Sequence, residues 1–107
     1  MISDTNIIHE TAKINSNIEI GEFNKIGENV IIDITAGSKS ILNIGDNNII
    51  NKNTRIIING DMKIGDWNVF HNDMLVMSGQ EMVIGHNCWF GQNTVLDGTG
   101  GLIIGNG

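Results

Sequence analysis

Isoleucine, or a residue of similar bulk, returns every sixth position along this chain, and polar residues fill the intervals. The beat is unbroken through Ile2, Ile8, Ile14, Ile20, Ile26 and Ile32. It pauses over DITAGSKSILN, resumes at Ile44, Ile50 and Ile56, and then runs through two twenty-residue copies, Ile64, Phe70, Val76 and Ile84, Phe90, Leu96. From the second turn onward each restart reads Ile-Gly: Ile20-Gly21, Ile44-Gly45, Ile64-Gly65, Ile84-Gly85 and Ile104-Gly105. A fixed period of about twenty residues is the mark of a repeat architecture, in which each unit buries its apolar residues against its neighbours. Six does not match the 3.6-residue helical period, and a β-sandwich would need longer alternating runs separated by hairpin turns. The beat therefore predicts a three-sided parallel coil, each side a short strand.

The coils run 2–19, 20–43, 44–63, 64–83 and 84–103, with a sixth opened by Ile104, and have lengths of 18, 24, 20, 20 and 20 residues. Eighteen residues are three beats, and the surplus always follows the third strand, so insertions are expected at one edge of the prism. Insertion elsewhere would shift the apolar columns out of register. The expected inward columns are Ile20, Ile44, Ile64, Ile84; Ile26, Ile50, Phe70, Phe90; and Ile32, Ile56, Val76, Leu96. The residue four after each beat, as in Asn24, Val30, Ala36, Asn48, Thr54, Gly60, Asn68, Cys88, Thr94 and Gly100, is expected to point inward beside it, with Met74 and Gln80 as departures from small size.

Composition agrees with strands and corners. The chain has 107 residues with 14 glycines and no proline. Its net charge of −6 argues against nucleic acid or an anionic membrane surface as the main partner. Lys13, Lys25, Lys39, Lys52, Arg55 and Lys63 all precede Ile64, so the later coils carry no Lys or Arg. The single cysteine, Cys88, excludes an internal disulfide and falls in an inward slot, where an inert thiol is the plain reading. No signal-like N-terminus and no apolar run of membrane-spanning length is present, so we expect a cytoplasmic protein without membrane insertion.

The repeat in IGENVI, IGDNNI, FGQNTV and IGHNCW resembles the hexapeptide motif of the left-handed parallel β-helix acyltransferases. The opening IHETAKINSNIEIGEFNKIGENVII is similar in style to the first coils of the lipid A and sugar-nucleotide enzymes. The twenty-residue coils are similar to the sugar and polysaccharide O-acetyltransferase branch. The resemblance implies an all-β, left-handed parallel β-helix of about five triangular coils, a homotrimer, and acetyl-CoA as acyl donor. It also implies a sugar-like acceptor whose hydroxyl or amine is deprotonated by a histidine in a cleft between subunits. Left-handedness rests on the resemblance alone, because parallel crossovers are otherwise right-handed.

Three histidines could serve as the base. His71, in FHND with Asp73 nearby, comes first; His86 comes second; His9 shares the column of His71 but lies three coils away, roughly 14 Å at strand spacing. The plain reading of each, and of His9 above all, is a solvated corner residue. Their spacing does not suggest a zinc site, and no metal is expected. Trp67 and Trp89 are expected to face outward, where they could line a cofactor cleft or pack a trimer interface. The run LDGTGG lacks the Lys-Ser or Lys-Thr of a phosphate loop and reads as a corner. The chain is expected to be one β-helical domain over 1–107, cut short after Ile104 and without a complete catalytic site as it stands. The alternative from another class is a non-catalytic structural or assembly module.

Overall fold

The computed structural model describes residues 2–107, which form fifteen short strands and, among the described residues, no helix. The first three coils contain β1 (Ile7–Ile8), β2 (Lys13–Ile14), β3 (Glu19–Ile20), β4 (Lys25–Ile26), β5 (Ile31–Ile34), β6 (Leu42–Ile44), β7 (Ile49–Ile50), β8 (Arg55–Ile58) and β9 (Met62–Ile64). β10 (Val69–Phe70), β11 (Leu75–Ser78), β12 (Met82–Ile84), β13 (Trp89–Phe90), β14 (Val95–Gly98) and β15 (Leu102–Ile104) complete the stack. They build three five-stranded parallel sheets: a first side β3-β6-β9-β12-β15, a second side β1-β4-β7-β10-β13, and a third side β2-β5-β8-β11-β14. The molecule is a parallel β-solenoid of about five turns.

The six-residue beat is the register of these sheets. Ile20, Ile44, Ile64, Ile84 and Ile104 are paired on the first side, Ile26, Ile50, Phe70 and Phe90 on the second, and Ile32, Ile56, Val76 and Leu96 on the third. Their side chains form the core, with Phe90 and Leu96 half-buried in the last coil. Phe70 and Phe90 pack ring against ring at 5.1 Å between centroids. A fully buried side chain of this size contributes about 1.5–3 kcal/mol.

The insertions do fall on one edge, between the third and first sides, but they do more than lengthen a loop. Strands of the third side reach four residues and those of the first side start two residues early, so Ile58, Ser78 and Gly98, then Leu42, Met62 and Met82, become buried there. This corrects the expectation for Ala36, Gly60 and Gly100, which sit on the widened corner while those strand residues take the inward places. Met74, large for its slot, is nonetheless buried, standing between Thr54 and Thr94 in stacking order.

Two features of the corners explain residues that the beat leaves open. Asn6, Asn24, Asn48 and Asn68 form an internal ladder: each side-chain amide donates to the carbonyl of Gly21, Gly45, Gly65 or Gly85 in the next coil at 2.9 Å. Each side-chain oxygen accepts from the backbone N–H of the next rung at 2.8–2.9 Å. Cys88 takes the fifth rung, its thiol donating to Gly105 O at 3.0 Å. The glycine after the restart isoleucine is then obligatory wherever another coil follows, at Gly21, Gly45, Gly65 and Gly85: a Cβ on Gly65 would lie 2.6 Å from Gly85 O and 2.5 Å from His86 Nδ1.

Candidate functional site

The stack places His71 at the corner where the second side turns into the third, directly after the buried Phe70. Its backbone is fixed on both faces: the N–H donates to Phe90 O at 3.1 Å and the carbonyl accepts from the Thr54 hydroxyl at 2.8 Å. The ring is half-buried and meets Trp89 edge-on, with centroids 4.5 Å apart and planes at 62°. No side-chain hydrogen bond engages either ring nitrogen among the described residues, so both stay available to a ligand. Asp73 does not orient the ring: it occupies a left-handed corner position at φ 61°, exposed, with no hydrogen bond to His71. The indole of Trp89 positions the imidazole instead.

His86 has a different part. Its Nδ1 accepts from the Asp66 N–H at 2.8 Å, and its own N–H donates to Asn106 Oδ1 at 2.8 Å. Asp46 and Asp66 do the same two coils and one coil earlier, accepting from Glu22 N and Asp46 N at 2.7 Å. His86 is thus a rung in an external corner ladder of acceptors. In the neutral ring the proton must sit on Nε2, leaving no free lone pair for a base. His9 is likewise committed, with Nδ1 2.8 Å from the Thr11 hydroxyl and accepting from Thr11 N at 3.2 Å. The sheet order puts it three strands from His71.

Both tryptophans face outward, Trp67 62% and Trp89 68% exposed. Trp89 stands in the outward column of the second side with Ile7, Lys25, Ile49 and Val69. Trp67 is on the corner before that side at φ 61°, and Phe23, exposed two coils earlier, has φ 60°. A bulky residue in the left-handed region costs about 1–2 kcal/mol. The other such corner positions carry Asn47, Asn87, Asn29, Asn53, Asp73 and Asn93, residue types that tolerate it. Two strained aromatics on one face are a sign of use outside the fold.

The stack also corrects an impression left by the linear chain. Although no cation follows Lys63, Lys52 occupies the corner of His71 one coil earlier, and its carbonyl accepts from the Asp73 N–H at 3.1 Å. Lys25 lies in the same outward column as Trp89. Sequence reasoning missed both, because it counted charges by position along the chain rather than by coil.

The carboxyls held below their usual range, Asp33 by bonds from Asn15 and Ile34 N and Asp97 by bonds from Thr99, lie on the third side away from His71. Among the described residues no group of three or more His, Cys, Asp or Glu is placed to hold a metal ion, and no helix is long and apolar enough to cross a membrane. Comparison of the chain with family models, with curated proteins and with solved structures gives no match in any of the three.

Proposed function

We propose that this chain is the β-solenoid unit of a cytoplasmic, acyl-CoA-dependent acyltransferase that moves an acetyl group to a hydroxyl or amine of a sugar-like acceptor, working as a homotrimer. The observation that carries the reading is the His71–Trp89 pair: an imidazole with both nitrogens unengaged, held against an exposed indole. His71 would take the proton of the acceptor as it attacks the thioester carbonyl. The tetrahedral oxyanion would be met by backbone N–H groups and collapse by expelling the thiolate of coenzyme A, which recovers the proton from the imidazolium. Trp89 and Trp67 offer apolar surface to the pantetheine arm, and Lys52 and Lys25 are the cations within reach of its phosphates. The outward column Ile7, Ile49, Val69 and Trp89 is the face we assign to contact between subunits.

The second reading, a non-catalytic assembly module, is favoured by one observation: no carboxylate orients His71, whereas its fellow histidines are each tied into the corners. A thiol-release assay with acetyl-CoA and a panel of sugar acceptors separates the two. Acceptor-dependent release that is lost in His71→Ala and kept in His86→Asn supports the transferase with His71 as base; acceptor-dependent release unaffected by His71→Ala removes His71 from that role, and no release with any acceptor supports the module.

A further inference from the structure

The five coils are unequal, and the inequality makes a pocket. Coil two has 24 residues where coil one has 18, and the whole excess lies between the third and first sides. In coil one that corner is tight, closed by Ile18 N donating to Asn15 O at 3.1 Å. The loop of coil two, Thr35–Ala36–Gly37–Ser38–Lys39–Ser40, overhangs it and leaves a cavity of about 440 Å³ floored by Asn15 and Asn17. That volume is in the range of small-molecule sites, about 300–1,000 Å³. It lies on the edge of the prism opposite the second side, away from His71 and Trp89.

The lining is mostly donors. Lys39 forms no ion pair among the described residues, so its ammonium is uncompensated. Backbone N–H groups of Ala36, Gly37 and Lys39 have no intramolecular acceptor, the loop having reversed through Gly37 at φ 83°. Ser40 N donates to Ser38 Oγ at 3.1 Å and Ser38 Oγ donates to Ser40 Oγ at 2.7 Å, which leaves the Ser40 hydroxyl proton free. The hydroxyl of Thr35 and the side-chain amide of Asn17 have no partner either. Successive free amides in such a turn, joined by hydroxyls and one cation, are the arrangement that receives a tetrahedral oxyanion. The nearby carboxylates are already engaged: Asp33 accepts from Asn15 Nδ2 at 3.0 Å and Ile34 N at 2.8 Å, and Asp61 accepts from Ile41 N at 2.8 Å. Nothing in the stacking of the coils requires the longer loop, since the tighter corners close without it.

We propose that the loop 35–40 and the floor Asn15 and Asn17 form a binding site for a phosphate group, free or on a small phosphomonoester, with Lys39 as its cation. The site does not depend on the transferase reading. The test is an amide-shift titration of the full chain by NMR, with inorganic phosphate and glycerol 3-phosphate against sodium chloride at matched ionic strength. Saturable shifts at millimolar phosphate, confined to residues 15–17 and 35–40, are expected. Lys39→Gln should weaken the binding about tenfold, the loss of one charge-assisted contact, while Lys63→Gln leaves it unchanged. Tighter binding of the monoester than of inorganic phosphate identifies an organic phosphate as the ligand; equal binding identifies the free ion. Shifts no larger than those from chloride, an unchanged affinity in Lys39→Gln, or the same shifts from uncharged glycerol would overturn the proposal.

Discussion

At the residue scale, the corners decide what each position may be. Asn48 is wholly buried and polar, and it is retained because both ends of its amide are used, by Gly65 O and by Asn68 N. Asn48→Ala would leave two buried backbone groups without partners at about 1–3 kcal/mol each. Against a total stability of about 5–15 kcal/mol that is a large fraction. Chemical denaturation should show a loss of roughly 2–6 kcal/mol for Asn48→Ala, and a loss below about 0.5 kcal/mol would mean that the ladder is ornamental. Trp67 presents the opposite case, a residue that the fold would rather not have. Trp67→Asn should raise stability by about 1 kcal/mol, because Asn accepts the left-handed corner and little burial is lost. A destabilised variant would show that the indole packs within its own chain. The ladder was legible in principle: Asn24, Asn48 and Asn68 recur in an inward column, and a buried amide must find partners. Small size alone places these residues inward; it is their polarity that calls for a ladder. His86 was also open to reading, since its column contains Asp46, Asp66 and Asn106, all acceptors.

At the scale of elements, the strands are too short to specify themselves; two-residue strands such as β4, β7 and β10 exist only because they lie between neighbours in register. The hydrophobic beat therefore carries nearly the whole architectural message, and the three inward columns could be read from it directly. What could not be read was the corner between the third and first sides. There the beat lapses for eight or more residues, and a longer strand and a wider loop are equally compatible with the count. The glycine after each restart is the element-level constraint that follows from stacking. Gly65→Ala forces a Cβ against Gly85 O and should destabilise the protein by about 1–3 kcal/mol. Gly91→Ala, where an added Cβ meets nothing within 4 Å, is the matched control and should change stability by less than about 0.5 kcal/mol. Equal effects of the two in thermal melts would mean that the coils are not stacked at this separation.

At the scale of the molecule, the coil turns distance in sequence into neighbourhood in space, and the candidate site depends on that conversion. Phe70 stacks on Phe90 inside while His71 meets Trp89 outside, the outward column of the second side supplies apolar surface, and Lys52 arrives from the coil before. His71 and Trp89 could be nominated from sequence, and so could the register that stacks Phe70 on Phe90, but their contact could not, because it is a diagonal one between side chains: Trp89 pairs with Val69, two residues before His71. The central claim, that this face receives an acyl-CoA, is tested most directly by the melting temperature in coenzyme A. At a ligand concentration ten times Kd, linkage gives about 1.4 kcal/mol, which for a chain of this size is a rise of about 5–10 °C. The account predicts such a rise in millimolar coenzyme A, reduced in Lys52→Ala; a melting temperature that does not move at any concentration up to 10 mM, about a hundredfold above a Kd of 0.1 mM, would contradict it.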